Sequence, residues 1–252
     1  RTTVLRALAV SVFRSSFDTL EMVLDNHKAA VRQFTEEALT GWLPFFLSIL
    51  KAPLPQELSD TEDYRGLVAL KLQVVKTLMK IRNVFPTLLT NQSPNLFTTV
   101  WSELSNIHGH YASSYITDDR QSRLEDADGL PYTLDCLVLE ELDLMQALLK
   151  APPVKAELQQ QVQATAGWLP EVLKLAISYA QITVEEEGLW EIDINVFLSE
   201  ETSVTANYTP RTCSGDLVIK LGEWLKVTTV EALLAYVNGL FADSATTCVF
   251  LP

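Results

Sequence analysis

The chain has 252 residues, with 19 Lys+Arg against 32 Asp+Glu and a formal net charge of -13. Hydrophobic residues make up 48% of it, which excludes intrinsic disorder of the whole chain, and only 9 residues are glycine, which favours helices over phosphate-binding glycine loops. The acidity repels nucleic acid and attracts basic proteins, so direct binding of nucleic acid is not expected.

Much of this charge lies in two windows. Neither Arg123–Lys150 nor Lys174–Arg211 contains an internal Lys or Arg, and together they hold fourteen of the 32 acids. Outside them, acids and bases nearly balance. No apolar run approaches the roughly 20 residues that cross a bilayer, so membrane insertion is not expected either. The 3 cysteines are widely spaced and form no C-x-x-C pair, which favours a reducing compartment.

The first half of the chain shows apolar residues at the three- and four-residue steps of amphipathic helices. A first helix is predicted to end near Asp25-Asn26, and a second to run from Lys28 to about Lys51, where Pro53 and Pro55 follow. A third begins at Glu62-Asp63 and a fourth at Ser93-Pro94. Their apolar positions are, in order, Leu5, Leu8, Val12, Leu20 and Val23, with Phe13 and Phe17 beside them; Val31, Phe34, Ala38, Trp42, Phe45 and Ile49; Leu67, Leu70, Val74, Leu78 and Ile81; and Leu96, Val100, Leu104 and Ile107.

The second half is predicted to hold two further helix pairs. A fifth helix spans about Tyr132 to Lys150, and a sixth runs from Pro152-Pro153 to near Tyr179. Arg211–Leu225 and Thr228–Ala242 form the last pair. The chain thus reads as one segment, 1–252, with pairs at about 1–51, 62–113, 131–179 and 211–242 and loops at about 114–130 and 180–210. Only Val204-Thr205 and Thr246–Leu251 carry weak strand signals.

A short internal repeat supports this arrangement of pairs. Gly41-Trp42-Leu43-Pro44 recurs as Gly167-Trp168-Leu169-Pro170, three units of about 42 residues apart, within the range of a HEAT-type helix pair. Stacked pairs bury apolar faces that no single pair can bury alone. The prediction is an all-α fold, an α-solenoid of HEAT-type antiparallel helix pairs, with a compact all-α bundle as the alternative.

No set of residues suggests catalysis, so an enzyme is not predicted, and neither a cofactor nor a metal is expected. His108-Gly109-His110 has no Cys or acidic partner at ligand spacing. Asp126-Ala127-Asp128-Gly129 lacks the glutamate that completes a calcium loop.

The candidate site is acidic. The segment Val184–Asp216 opens with three consecutive glutamates, and Trp190 and Phe197 are predicted to hold its acids against the scaffold as a surface for a basic partner. The alternative is a merely solubilising loop that leads into a short helix, with Trp190 and Phe197 holding it to the scaffold. The candidate partner-binding residues are Glu185, Glu186, Glu187, Glu191, Asp193, Glu200 and Glu201. A second acidic patch comprises Asp118, Asp119, Glu125, Asp126 and Asp128.

The same segment resembles the mid-chain region of the importin-β (karyopherin-β) superfamily. The resemblance rests on Trp190, Asp193, Phe197, Glu200-Glu201, Arg211 and Asp216-Leu217. A second window, Leu20-Glu21-Met22-Val23 with Phe34 and Trp42-Leu43-Pro44-Phe45, is similar to the importin nine type, the branch that imports core histones and the TATA-binding protein.

The resemblance implies an internal fragment of a nuclear import receptor. Its partners would be basic protein cargo such as histones or the TATA-binding protein, Ran-GTP as regulator, and Phe-Gly nucleoporins. It would shuttle between cytoplasm and nucleus. A HEAT-repeat scaffold or adaptor without transport function remains the main alternative. An all-helical enzyme or lipid carrier is disfavoured by the missing catalytic groups.

Overall fold

The computed structural model describes residues 2–55, 61–118, 133–162, 167–195, 198–199 and 208–248, and this part of the chain contains nine α-helices and no strand. The all-α prediction is confirmed. A 3-10 turn (Thr90–Gln92) precedes α3, and a π-helical turn (Ala112–Ile116) follows it. The helices are α1 (Thr2–Leu50), α2 (Glu62–Val84), α3 (Ser93–Tyr111), α4 (Leu134–Leu149), α5 (Pro152–Val162), α6 (Trp168–Tyr179), α7 (Val184–Ile192), α8 (Pro210–Leu225) and α9 (Val227–Cys248).

Helix α1 is a hairpin of two arms that meet at His27, whose backbone is not helical (φ -132, ψ 27). The ring of Phe13 in the first arm stacks on that of Trp42 in the second, with 4.5 Å between the ring centroids. In a straight helix these residues would lie about 43 Å apart, at 1.5 Å per residue. Because Asp25 and Asn26 are poor helix formers, the break falls beside them, where the sequence predicts a turn.

The buried face of this hairpin differs in part from the predicted one, although the predicted Phe17, Val31 and Ile49 are buried. Val10 and Phe17 are buried, whereas Leu5, Leu8 and Val12 point to solvent and are about three-fifths exposed. Both arms carry apolar residues on two faces, and the aromatic contacts among Phe13, Phe17, Trp42 and Phe46 decide which face turns inward. In the second arm Phe34 is likewise exposed, and Thr35 and Leu39 take the buried positions.

The remaining helices stack in two rows. In one row α2 packs on α4 and α4 on α8, and in the other α3 packs on α6 and α6 on α9. Contacts of α3 with α4 and of α6 with α8 join the rows, and α1 packs against α2 and α3. This is the arrangement of an α-solenoid. In the predicted apolar stripe of α2, Leu67 is half-buried and Leu70, Val74, Leu78 and Ile81 are buried. The predicted stripe of α3 (Leu96, Val100, Leu104, Ile107) is buried.

Several helix boundaries in the structure differ from the approximate predicted ones. The predicted loop at 114–130 begins too early, because the π-helical turn continues to Ile116. The predicted sixth helix is two helices, α5 and α6, since Gly167 is extended (φ -68, ψ 150) directly before Trp168. The predicted loop at 180–210 contains α7, and α9 extends to Cys248. The strand candidate Thr246–Leu251 is therefore helical as far as it is described, and Val204-Thr205 lies outside the described residues.

The two copies of the four-residue repeat do not occupy equivalent places. Trp42 lies inside the second arm of α1, whereas Trp168 is the first residue of α6. The indole Nε1 of Trp168 donates to the carbonyl of Leu158 at 2.8 Å and so ties α6 to α5. Among the helices that the structure describes, none is both long and apolar enough to cross a membrane.

Candidate partner-binding surface on α7

The N-terminus of helix α7 is stabilised by a reciprocal pair of hydrogen bonds between Thr183 and Glu186. Thr183 Oγ1 accepts from the backbone N–H of Glu186 at 3.2 Å, and Glu186 Oε2 accepts from the backbone N–H of Thr183 at 2.9 Å. This reciprocal capping box satisfies two backbone donors. The three consecutive glutamates fall in the first turn, where the positive end of the helix dipole offsets their mutual repulsion. The three consecutive glutamates, which would repel one another in a loop, are therefore suited to the start of a helix.

One face of α7 is held against the solenoid by Arg211. The guanidinium Nε of Arg211 donates to Glu186 Oε1 at 3.0 Å, and both side chains are less than one-fifth exposed. The same guanidinium lies 5.2 Å from the centroid of the Trp190 ring. Glu186 and Trp190 are four residues apart and share this inner face, and α7 also packs on the π-helical turn after α3. Sequence reasoning named Arg211 but not this pairing.

The outer face of α7 carries exposed acidic side chains. Glu187 and Glu191 are exposed and lie four residues apart, about 40° around the helix. Asp193, just after the helix, is exposed too, and its Oδ1 accepts from the backbone N–H and the side-chain amide of Asn195, each at 2.9 Å. No Lys or Arg lies between Lys174 and Arg211 in sequence. The acids of this face therefore have no basic residue in their own segment.

Apolar side chains are also exposed on α7 and just after it, with Leu189 and Ile192 about 150° around the helix from Glu187 and Glu191. Leu189 is 47% exposed, Ile192 is 86% exposed and Ile194 is 62% exposed. We define the α7 surface as these three residues together with Glu187, Glu191 and Asp193.

The other predicted site residues fall into three groups. Glu185 is half-buried in the first turn of α7, and Glu186 faces inward onto Arg211 rather than outward. Asp118 is half-buried, two residues after the π-helical turn on which α7 packs. The rest lie outside the described residues: Asp119, Glu125, Asp126, Asp128, Phe197, Glu200 and Glu201.

A buried charged cluster was missed by sequence reasoning. Lys71 of α2 is fully buried, and its ammonium group donates to the carbonyl of Leu50 at 2.9 Å and to the carboxylate of Glu103 on α3. Glu141 of α4 is also fully buried nearby, and neither of its carboxyl oxygens has a hydrogen-bond partner within the described structure. Three helices bring these residues together, so no local pattern reveals the cluster. The one available signal was a lysine inside the apolar stripe of α2.

Burial sets the protonation of this cluster. Loss of solvent raises the pKa of Glu141 well above its usual range, and the nearby charge of Glu103 raises it further, against a smaller opposing effect of Lys71. Burial also raises the pKa of Glu103, which the Lys71 ammonium partly opposes. We therefore describe the cluster as a Lys71–Glu103 ion pair beside a neutral Glu141.

A second buried contact joins α4 to α8. Gln146 Nε2 donates to the carbonyl of Cys213 at 2.7 Å, and the ammonium group of Lys220 donates to Gln146 Oε1. Burial raises the pKa of the Cys213 thiol to about 11, so this cysteine acts as a small packing residue.

The histidines show no shared ligand geometry. His108 lies edge-on to Tyr179, with ring centroids 5.1 Å apart, whereas His110 lies beside Tyr64. No group of three potential metal ligands occurs in the described part of the chain.

Comparison with known proteins agrees with this architecture. Residues 163–249, which contain α6 to α9 and the α7 surface, match the family model of importin-9 central HEAT repeats. Importin subunit beta-5 of Schizosaccharomyces pombe is 23% identical over 201 residues, covering 79% of this chain and 20% of that protein. The chain thus spans about a fifth of the length of this relative. The chain is therefore similar to the importin-β superfamily of nuclear transport receptors, and its α6–α9 region is similar to the central HEAT repeats of importin-9.

Proposed function

We propose that the chain is the part of a nuclear import receptor that contacts basic protein cargo, and that the α7 surface is one of the contacts. The observation that carries this proposal is the two-sided construction of α7. Arg211 and the π-helical turn hold its inner face, while Glu187 and Glu191 project from its outer face. Acids on a helix fixed from behind lose little freedom when a partner binds.

Charge is suited to recruiting such a cargo. The net charge of -13 attracts a basic protein over long range. The acids of the α7 surface lie in a segment without Lys or Arg, so the negative potential there is not offset by basic residues of the same segment. Because salt screens exposed charges beyond about 8 Å at physiological ionic strength, cargo binding should weaken steeply as salt is added.

The finer assignments rest on the family. Core histones and the TATA-binding protein are basic, folded cargo of the required chemistry. Ran-GTP would release the cargo, Phe-Gly nucleoporins would carry the receptor through the pore, and the protein would shuttle between cytoplasm and nucleus. Similarity to the importin-β superfamily supports these roles for the whole receptor.

The first experiment neutralises the outer acids of α7 without disturbing its cap. The variant E187Q/E191Q removes two exposed charges, whereas Glu186 is left in place because it caps the helix and binds Arg211. The matched control is E223Q/E231Q, which removes two exposed charges from α8 and α9. Binding to a core histone dimer is measured by fluorescence anisotropy between about 50 and 200 mM salt.

We expect E187Q/E191Q to weaken binding about three- to tenfold at low salt, because each exposed charge contributes up to about 1 kcal/mol. The control should change affinity less than twofold. Equal effects of the two variants would show that only net charge matters and would remove α7 from the cargo contact. A parallel capture of basic proteins from extract, with and without Ran-GTP, separates transport from scaffolding, because retention in Ran-GTP favours a scaffold.

A further inference from the structure

The first arm of α1 carries an uncharged, mainly apolar stripe on its outer side. At about 100° per residue, this stripe lies about 120–180° around the arm from the buried Val10 and Phe17, so it faces away from the packed side. Its residues follow alternating steps of three and four, which is the spacing of a coiled-coil seam. We define the α1 stripe as these exposed residues: Leu5, Leu8, Val12, Ser15, Thr19 and Met22.

Helix α9 carries a second stripe with the same spacing. Its side chains lie about 80–160° around the helix from Thr229, which is buried and donates to the carbonyl of Leu221 at 3.0 Å. The stripe spans 14 residues, or about 21 Å at 1.5 Å per residue. We define the α9 stripe as these residues, which are between 37% and 71% exposed: Val227, Val230, Leu234, Val237 and Phe241.

The two stripes lie at opposite ends of the stacked helices. Helix α1 packs against α2 and α3, which begin the two rows, whereas α9 is the last helix of one row. A solenoid that ends in water needs a polar outer face on its terminal repeat. Here each terminal helix instead presents a contiguous apolar face, which is typical of an interaction surface rather than of scattered apolar residues.

We infer that the α1 stripe of one molecule packs on the α9 stripe of a second copy, so that the chain self-associates head to tail. Each stripe fits a helix that has the same alternating spacing and no charge in its seam. The chain presents one such helix at each end. Because α1 lies before α2 and α3, its contact with α9 of another molecule continues the packing of α3 on α6 and of α6 on α9. The inference goes beyond the proposed function and uses no residue of α7.

Charge favours this occupant over others. Two copies side by side repel each other through their net charge of -13, whereas neither stripe contains an Asp, Glu, Lys or Arg. A charged partner would lose solvent at its own charges without gaining a counter-charge from the stripes. An anionic lipid surface would be repelled by the acidic chain. Head-to-tail contact covers both stripes through one repeated interface, which is a heterologous contact that does not close at a dimer.

The test blocks one stripe at a time in the whole chain. The variant L8E/V12E places two charges in the α1 stripe, and V230E/L234E places two in the α9 stripe. The matched control S102E/S105E adds the same charge at two exposed positions of α3. Sedimentation velocity and light scattering measure the mass of each chain between about 1 and 100 µM, the range in which a small interface associates. Far-UV circular dichroism checks that every variant stays folded.

We expect the average mass of the wild type and of S102E/S105E to rise at least about twofold over this range without levelling at a dimer. Each blocked variant alone should stay monomeric. An equimolar mixture of L8E/V12E and V230E/L234E should form a dimer, because each variant supplies the stripe that the other lacks. Added salt should strengthen association, because it screens the repulsion between two acidic molecules. Binding of a histone dimer should weaken with salt instead and be unchanged in both blocked variants.

Three outcomes would overturn the inference and leave the proposed function standing. The first is a wild type that stays monomeric at about 100 µM. The second is a blocked variant that still dimerises alone while the mixture forms no additional dimer, which would show pairing of like stripes. The third is a control S102E/S105E that loses association as fully as the blocked variants, which would show that added charge acts without regard to its position.

Discussion

Replacement of Lys71 by methionine is expected to destabilise the solenoid by about 3–5 kcal/mol, because it leaves Glu103 as a buried charge without a counter-ion. Lys71 is fully buried and Glu103 is 3% exposed, so solvent cannot take over the lost interaction. The substitution also removes the donor to the Leu50 carbonyl, which Lys71 contacts at 2.9 Å. Methionine fills a similar volume, so the loss reports charge and hydrogen bonding rather than a cavity.

The cost of this substitution should depend on pH. Without Lys71, the pKa of Glu103 rises further above its value in the unfolded chain, so the folded variant keeps a proton that the unfolded chain releases. Stability is therefore lost as pH increases, by up to about 1.4 kcal/mol per pH unit between the two pKa values. Urea unfolding followed by far-UV circular dichroism at pH 5 and pH 8 measures this difference.

Two controls isolate the buried pair. The variant K76M removes a partly exposed lysine of α2, the helix that also carries Lys71. Its Nζ lies 3.8 Å from Glu140 Oε1 on α4, and the variant should cost less than about 1 kcal/mol. The double variant K71M/E103L replaces the ion pair by apolar side chains and should recover most of the loss. A K71M cost as small as that of K76M, or a double variant as unstable as the sum of its single variants, would refute this account of the cluster.

Three further predictions concern other sites. Glu141→Gln should raise the free energy of unfolding, and by more at pH 8 than at pH 5. The reason is that burial raises the pKa of Glu141 in the folded wild type, which therefore loses stability as pH rises above the pKa of Glu141 in the unfolded chain. Urea midpoints at each pH measure this difference, and a difference that stays constant with pH would contradict a neutral buried carboxyl. The pKa of the Cys213 thiol is about 11 in the folded chain, against 9.0 in solution. At pH 8 it should therefore be alkylated at least about a hundredfold more slowly in the folded chain than in urea, as followed by mass spectrometry. Equal rates would show that the thiol is accessible. Lys226→Gly should raise the free energy of unfolding by about 1 kcal/mol, because φ is 50 and ψ is -117 at this junction of α8 and α9, and Lys226→Ala should bring no such gain.

The fold followed from periodicity where one face of a helix is clearly apolar. The stripe of α3 predicted its buried residues because this helix has a single apolar face, whereas α2 also buries Val68, Leu72 and Val75 outside its predicted stripe. The first arm of α1 has two, and the aromatic stacking of Phe13 on Trp42, between residues far apart in sequence, decided between them. A four-residue repeat was a poor guide to structure, since its glycine lies inside a helix in one copy and directly before a helix in the other.

The candidate site was predictable in composition but not in construction. Consecutive glutamates marked the segment, yet their assignment to a loop was wrong because Thr183 and Glu186 form a local cap. The division of the acids into an inward Glu186 and an outward Glu187 depends on Arg211, which lies 25 residues further along the chain. The apolar half of the α7 surface was missed, because exposure of Leu189 and Ile192 is a property of the packed structure.

Amide hydrogen exchange with and without a core histone dimer tests the central claim, that the α7 surface contacts basic cargo, most directly. The account predicts slower exchange in residues 184–192 when the dimer binds, and weaker protection in E187Q/E191Q at the same sub-saturating dimer concentration. Residues 62–84 of α2, which lie away from the surface, serve as the internal reference. Binding of the dimer with unchanged exchange in residues 184–192 would contradict the account.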